Sequence, residues 1–231
     1  MVALIVGPTQ RHRFEIHKQL LIDESRRFRL LFGGSRFDAQ PGMITYSLPE
    51  IDPIIFHKLY EWLYVGNTQP IAQSLVIFRL NSEETGIQSM LKLYLAAYAL
   101  EFIELENLAM DLLGNGYYVS DMYPSNEDIE LAYNKTGPGS GLRRYMARAF
   151  SQKLLTSIAG PPLNELRGIL TRQPSLATDI VLQSLGTLTN GLRRTEDLTT
   201  CEFHSHYRGD PCPTSRISFN TIDYVYATGS I

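Results

Sequence analysis

The chain has 231 residues, and 21 Lys+Arg against 24 Asp+Glu leave a formal charge of −3, with 44% of residues hydrophobic. That much apolar side chain can offset the ordering entropy, which excludes disorder over the whole length, and only two cysteines exclude a disulfide scaffold. Near-neutral charge gives no field that holds nucleic acid by phosphate attraction alone. No window holds the roughly 18 unbroken apolar residues of a membrane span. Met1–Gly7 is apolar but too short, and lacks the basic start, for a signal peptide. The expectation is an intracellular, soluble protein, with nucleus and cytoplasm both open.

Val2–Val6 is a short apolar run closed by Gly7-Pro8, which predicts a strand meeting a turn. Arg13–His17 alternates polar and apolar, as a half-buried second strand does, so the two make a hairpin around Gly7–Gln10. From Lys18 to Phe32 the period becomes helical, through Leu20, Leu21, Phe28, Leu31 and Phe32, and Gly33-Gly34 stops the run. Ile44–Leu48 predicts a third strand. Asp52-Pro53 opens a second helix with an apolar face of Ile54, Ile55, Leu59, Trp62 and Leu63, ended by Gly66. Residues 67–88 predict a loop with Leu75–Leu80 as a short insert. Helices follow at Met90–Phe102, Glu104–Leu113 and Asn126–Tyr133. Strands first and helices after give an α+β domain over residues 1–135.

Residues 134–141, Asn-Lys-Thr-Gly-Pro-Gly-Ser-Gly, have the composition of a linker. Beyond it, residues 136–231 predict a mainly helical extension. A basic amphipathic helix runs over Leu142–Ser157, and shorter helices over Asn164–Arg172 and Ser175–Leu188. The tail carries strand-like Ile217, Phe219, Tyr224, Val225 and Tyr226.

The order and spacing of several residues resemble the BTB/POZ domain, in its fungal form, over residues 1–135. His17-Lys18, Leu21, Ser25 and Phe28 follow its pattern H-K-x-x-L-x-x-x-S-x-x-F. Leu48-Pro49-Glu50, Asp52-Pro53, Phe56, Trp62-Leu63-Tyr64 and Gly66 continue it, and Leu93-Tyr94, Ala96-Ala97, Leu105, Leu108 and Ala109 complete it. The resemblance implies a three-stranded sheet flanked by a helical cluster, and a non-enzymatic protein–protein interaction module. It implies partners that are a second copy or another BTB protein, and in many members a cullin-type ubiquitin ligase scaffold. Only Met1 precedes Val2, so a strand-exchanged dimer is not expected. The cullin signature, an apolar residue, any residue, then Glu, corresponds here to Phe37-Asp38-Ala39 and lacks its acid.

The residues themselves assign structural roles to the most conspicuous side chains. Ser25 stands among apolar neighbours and is expected to bond a carbonyl one helical turn back. His17 closes the strand-to-helix corner through a ring hydrogen bond, since a catalytic histidine needs a partner group nearby. Trp62 belongs to the core. Leu4, Leu20, Phe28 and Phe37 are the candidate interaction surface.

Outside that domain the distinctive set is Cys201, His204, His206 and Cys212. Two thiolates and two imidazoles complete a tetrahedral zinc site of the structural type, and Gly209-Asp210-Pro211 supplies a turn that returns Cys212. The competing reading is a polar loop with reduced surface thiols, because the spacing matches no common finger. The resemblance adds weight to zinc, since fungal members carry a similar run after the domain.

Catalytic motifs are missing. Gly137–Gly141 has no Lys and follows a helix, so it is not a phosphate loop, and neither Gly-x-Ser-x-Gly nor His-Glu-x-x-His occurs. No small-molecule substrate is indicated. Arg26-Arg27-Arg29 and Arg143-Arg144-Arg148 read as solvated helix faces rather than a nucleic-acid patch. A substrate adaptor of a cullin ligase and a zinc-containing nucleic-acid-associated regulator remain as alternatives to a self-associating interaction protein.

Overall fold

The computed structural model describes residues 1–9, 11–34, 43–65, 86–156, 162–190 and 200–206. The predicted insert Leu75–Leu80 and the strand-like tail beyond residue 216 lie outside these. The chain is α+β. Strands β1 (Val2–Val6) and β2 (His12–Ile16) and helices α1 (Lys18–Glu24) and α2 (Arg26–Phe32) come first. Strand β3 (Ile44–Leu48), α3 (Pro53–Val65), α4 (Gly86–Leu100) and α5 (Ile103–Val119) follow. The rest is helical: α6 (Asn126–Lys135), α7 (Gly141–Thr156), α8 (Leu163–Arg172), α9 (Pro174–Asn190) and a single 3-10 turn, Thr200–Phe203. The described residues group into two units, 1–109 and 110 onward, divided within α5. The expected domain boundary after residue 135 falls at the end of α6.

In the first unit the sheet order is β2-β1-β3, with β2 antiparallel and β3 parallel to β1. Leu4 stands opposite both Phe14 and Tyr46. A central strand is covered on both faces and therefore reads as a continuous apolar run; Val2, Ala3, Leu4 and Val6 are fully buried. The outer strands alternate instead, with Arg13, Glu15, Thr45 and Ser47 outward. Gly7 takes φ 103°, a left-handed conformation that a side chain would strain, and so closes the hairpin.

One predicted helix becomes two. Ser25 is extended (φ −122°, ψ 122°) and separates α1 from α2. Its hydroxyl accepts from Phe28 N–H at 3.1 Å, capping α2, and donates to the carbonyl of Leu100 at 2.6 Å. The expected partner one turn back, Leu21 O, is taken by the Ser25 backbone N–H instead. The hydroxyl is thus released to reach a residue 75 positions along the chain. The α4–α5 junction is equally specific. Glu101 at φ 56° lets Phe102 N–H bond Ala97 O and Glu101 N–H bond Tyr98 O, the paired closure of a Schellman motif.

In the second unit, α5 runs six residues past the predicted end at Leu113 and closes in the same way at Asp121, φ 49°. Within the stretch of linker composition, 136–140 forms a turn whose two ends, Thr136 and Ser140, are buried while Pro138 and Gly139 are exposed. Thr136 Oγ1 donates to Ala132 O and Ser140 Oγ to Thr136 Oγ1, at 2.8 and 2.9 Å, and both residues are buried.

The junction yields two predictions of opposite sign. Ser25→Ala removes a cap worth about 1 kcal/mol and strands a buried carbonyl at about 1–3 kcal/mol, so the urea midpoint of the first unit falls by the equivalent of about 2–4 kcal/mol. Glu101→Gly relieves the left-handed strain and raises it by about 0.5–1 kcal/mol.

Candidate functional site

Two of the four expected interface residues are core. Leu4 and Phe28 have no exposed surface, because β1 is the middle strand and Phe28 packs against Phe32 and Phe102 at ring separations of 5.5 and 5.9 Å. Leu20 on α1 is half-buried, and Phe37 lies outside the described residues. The apolar surface of the first unit is elsewhere. Leu30 on α2 is 76% exposed, and Ile54, Tyr64 and Val65 on α3 are also exposed. Leu30 sits one helical turn after exposed Arg26, and an apolar residue beside a charged one on that face was the available sign.

An aromatic row runs across β2 and α3 beside this surface. Phe14 meets Tyr60 at 5.7 Å and His57 at 6.3 Å, Tyr60 meets Tyr64 at 4.9 Å, and Tyr64 meets His17 at 5.8 Å. Partial burial, and then the neighbouring Tyr64, push the Tyr60 hydroxyl above its usual pKa. His17 fills the expected corner role. Its Nδ1 lies 2.9 Å from the Tyr64 hydroxyl, which also accepts from His17 N–H. Trp62 is buried edge-on to Phe102, as a core residue.

Of the Cys/His set, Cys201 lies in the turn Thr200–Phe203, His204 and His206 follow it, and Cys212 is outside the described residues. The two imidazoles are 6.0 Å apart. Among the described residues no three metal-binding side chains converge. His204 Nε2 is instead 2.7 Å from Asp111 Oδ1, with both residues buried. Burial pushes the Asp111 carboxyl up, while the hydrogen bond and charge of His204 pull it down. Sequence reasoning missed Asp111; a lone carboxylate inside the apolar run Leu108–Leu113 was the sign.

Four more contacts hold the segment to α7. Phe203 packs edge-on to Tyr145 at 5.3 Å, and Arg148 pairs with Glu202 at 3.1 Å. Arg144 donates to the carbonyls of Glu202 and His204. Gly141 permits the approach of Phe203, since any Cβ there would collide with the Phe203 carbonyl.

The arginine clusters are internal clamps. Arg27 donates to Ala99 O, and Arg29 to the carbonyls of Ile22 and Asp23. Arg143, buried, donates to the carbonyls of Tyr133 and Thr136 and lies 4.7 Å over the Tyr133 ring. Tyr133 in turn donates to Asp179 at 2.8 Å. With three of their guanidinium groups tied to helix ends, these clusters do not form an open basic face.

Arg143→Ala leaves two buried carbonyls without donors and removes the cation from the Tyr133 ring. The second unit loses about 2–4 kcal/mol in denaturant unfolding. Arg143→Lys recovers less than half of that, because an ammonium lacks the flat guanidinium that lies over the Tyr133 ring while its Nη2 meets both oxygens.

Among curated proteins, none matches the chain. No helix among the described residues is long and apolar enough to cross a membrane. Residues 2–102, from the central strand to the Schellman junction, match the family model of the BTB/POZ domain, which is a protein–protein interaction module.

Proposed function

We propose that this chain is a non-enzymatic interaction protein that self-associates through the α1–α2 helix pair of its BTB/POZ unit. The observation that carries the reading is the family match over 2–102 together with an apolar side chain, Leu30, left 76% exposed on that pair. Half-buried Leu20 extends the same helix pair. Interface cores favour such apolar side chains with charged groups at the rim, and exposed Arg26, one helical turn before Leu30, stands in that manner. The fully buried Leu4 and Phe28 support the surface from beneath.

A second reading, recruitment of a cullin-type scaffold, is favoured by the separate exposed apolar patch on α3. Ile54 and Val65 there stay outside the core, beside the aromatic row.

We further infer that Cys201, His204, His206 and Cys212 hold one structural zinc. The donor set supports this, being two thiolates and two imidazoles on one short segment, as does the 6.0 Å separation of the two rings. A closed four-ligand site supplies folding energy and no open position for catalysis.

Native mass spectrometry tests the first and third readings together. The purified chain is expected as a dimer with one zinc per chain, and the zinc is lost to a chelator. Leu30→Arg shifts the mass to a monomer; a variant that stays dimeric refutes the α1–α2 interface. Ile54→Asp abolishes pull-down of a purified cullin N-terminal domain by the wild-type-competent chain, if α3 is the recruiting face.

A further inference from the structure

We propose that the outer edge of β2 is a second self-association surface, on which a second copy of this chain lays its own β2 antiparallel about a two-fold axis through Phe14. Among the described residues β2 pairs with β1 alone, so its other edge has no strand partner. Such an edge is a template for another strand, and proteins blunt it with repelling charges or proline. The strand His12–Ile16 has no proline and no run of like charges. It carries one cation and one anion instead, Arg13 and Glu15, with side chains 55% and 47% exposed.

The order of these charges selects both the occupant and the register. Directly opposite residues of an antiparallel pair point to the same face, and a slip of one residue turns the outer face of one copy to the inner side of the other. An axis through Arg13 sets two guanidinium groups opposite each other, and one through Glu15 sets two carboxylates opposite. An axis through Phe14 overlaps the whole strand and places each Arg13 across from Glu15 of the second copy. The intrachain contact of 2.9 Å between the two groups puts both charges on one side of the strand, so pairing creates a ring of four alternating charges. On the other face Phe14 stands opposite its copy. Its ring is half-buried and already held by Phe56 and Tyr60 of α3, at 4.8 and 5.7 Å, and aromatic cross-strand pairs stabilise a sheet. One short strand edge buries little area, so the contact is weak by itself. Two self-complementary surfaces on one subunit join dimers into larger assemblies. This surface goes beyond the α1–α2 reading and stands without it.

The test is sedimentation velocity of the full chain over rising concentration, for wild type, Arg13→Glu, Glu15→Arg and an equimolar mixture of the two variants. Wild type is expected to gain larger species as concentration rises. Each single substitution sets like charges opposite and weakens that association about tenfold or more. The mixture restores it, because one strand then offers two carboxylates to two guanidinium groups on the other. Losing the intrachain ion pair alone gives no such rescue. Where a single variant fails to fold, the double substitution Arg13→Glu with Glu15→Arg carries the same test: it associates with itself but does not mix with wild type. A wild-type size independent of concentration, single variants that associate as wild type does, or a mixture no better than its components each overturns the β2 edge. Repeating the series on Leu30→Arg separates the two surfaces. A starting size lowered to the monomer supports α1–α2, and an unchanged one refutes α1–α2 while the charge series still decides the edge.

Discussion

The first unit depends on how the C-terminus of α4 is closed. A helix ends with four carbonyls that have no partner within it, and each one buried without a donor is costly. All four of the last carbonyls of α4 find a donor. Ala97 O takes Phe102 N–H and Tyr98 O takes Glu101 N–H, both from the Schellman turn. Ala99 O takes the Arg27 guanidinium and Leu100 O takes the Ser25 hydroxyl. Two of the donors are local and two come from more than 70 residues away, on the α1–α2 pair. The junction between those two short helices is therefore not a flaw in one long helix. It is what turns the Ser25 hydroxyl outward to α4 while its oxygen still caps α2.

The same device recurs at two other helix ends. Arg29 covers the end of α1 with Nε and Nη2, and Arg143 the end of α6 with Nη2 alone, each reaching two carbonyls. A guanidinium suits this task because its N–H groups are fixed in one plane and its charge complements the negative end of the helix dipole. A consequence for function follows. Cationic groups that the sequence places in runs are drawn inward to carbonyls, so the surface offered to a partner is defined by apolar and aromatic side chains, Leu30, Ile54 and Tyr64 among them. Such a surface suits a protein partner better than a polyanion.

The architecture was legible because hydrophobic period is a local property. β1, β3 and α3 stand where the alternation and spacing of Val2–Val6, Ile44–Leu48 and Ile54–Leu63 put them. What was illegible involved a partner distant in sequence. Ser25 looked like a residue bonding one turn back, because nothing in its neighbourhood announces Leu100. Leu4 and Phe28 were expected at the interaction surface and are fully buried, because sequence carries no sign of which side of an element faces solvent once a strand is central. Residues 134–141 had the composition of a linker, and the same Thr and Ser that suggest solubility became donors inside a turn. Composition reports polarity, and polarity is equally at home in water and in a satisfied buried network.

The Cys/His segment shows the same principle at a potential binding site. Seven residues, 200–206, have too little apolar surface to hold a fixed position alone, and Phe203 is the single large apolar anchor among them. The remaining hold comes from groups that α5 and α7 present in advance: a carboxylate for His204, a guanidinium for Glu202, and a missing Cβ at Gly141 that lets the segment's backbone approach. The last is the most restrictive, since no repacking of a side chain can admit a Cβ against a carbonyl oxygen. A helix that begins with glycine at that position is shaped for a peptide laid across it. The polar turn Thr136–Ser140 that precedes it, with Gly139 at φ 78°, is what delivers that glycine to the helix start.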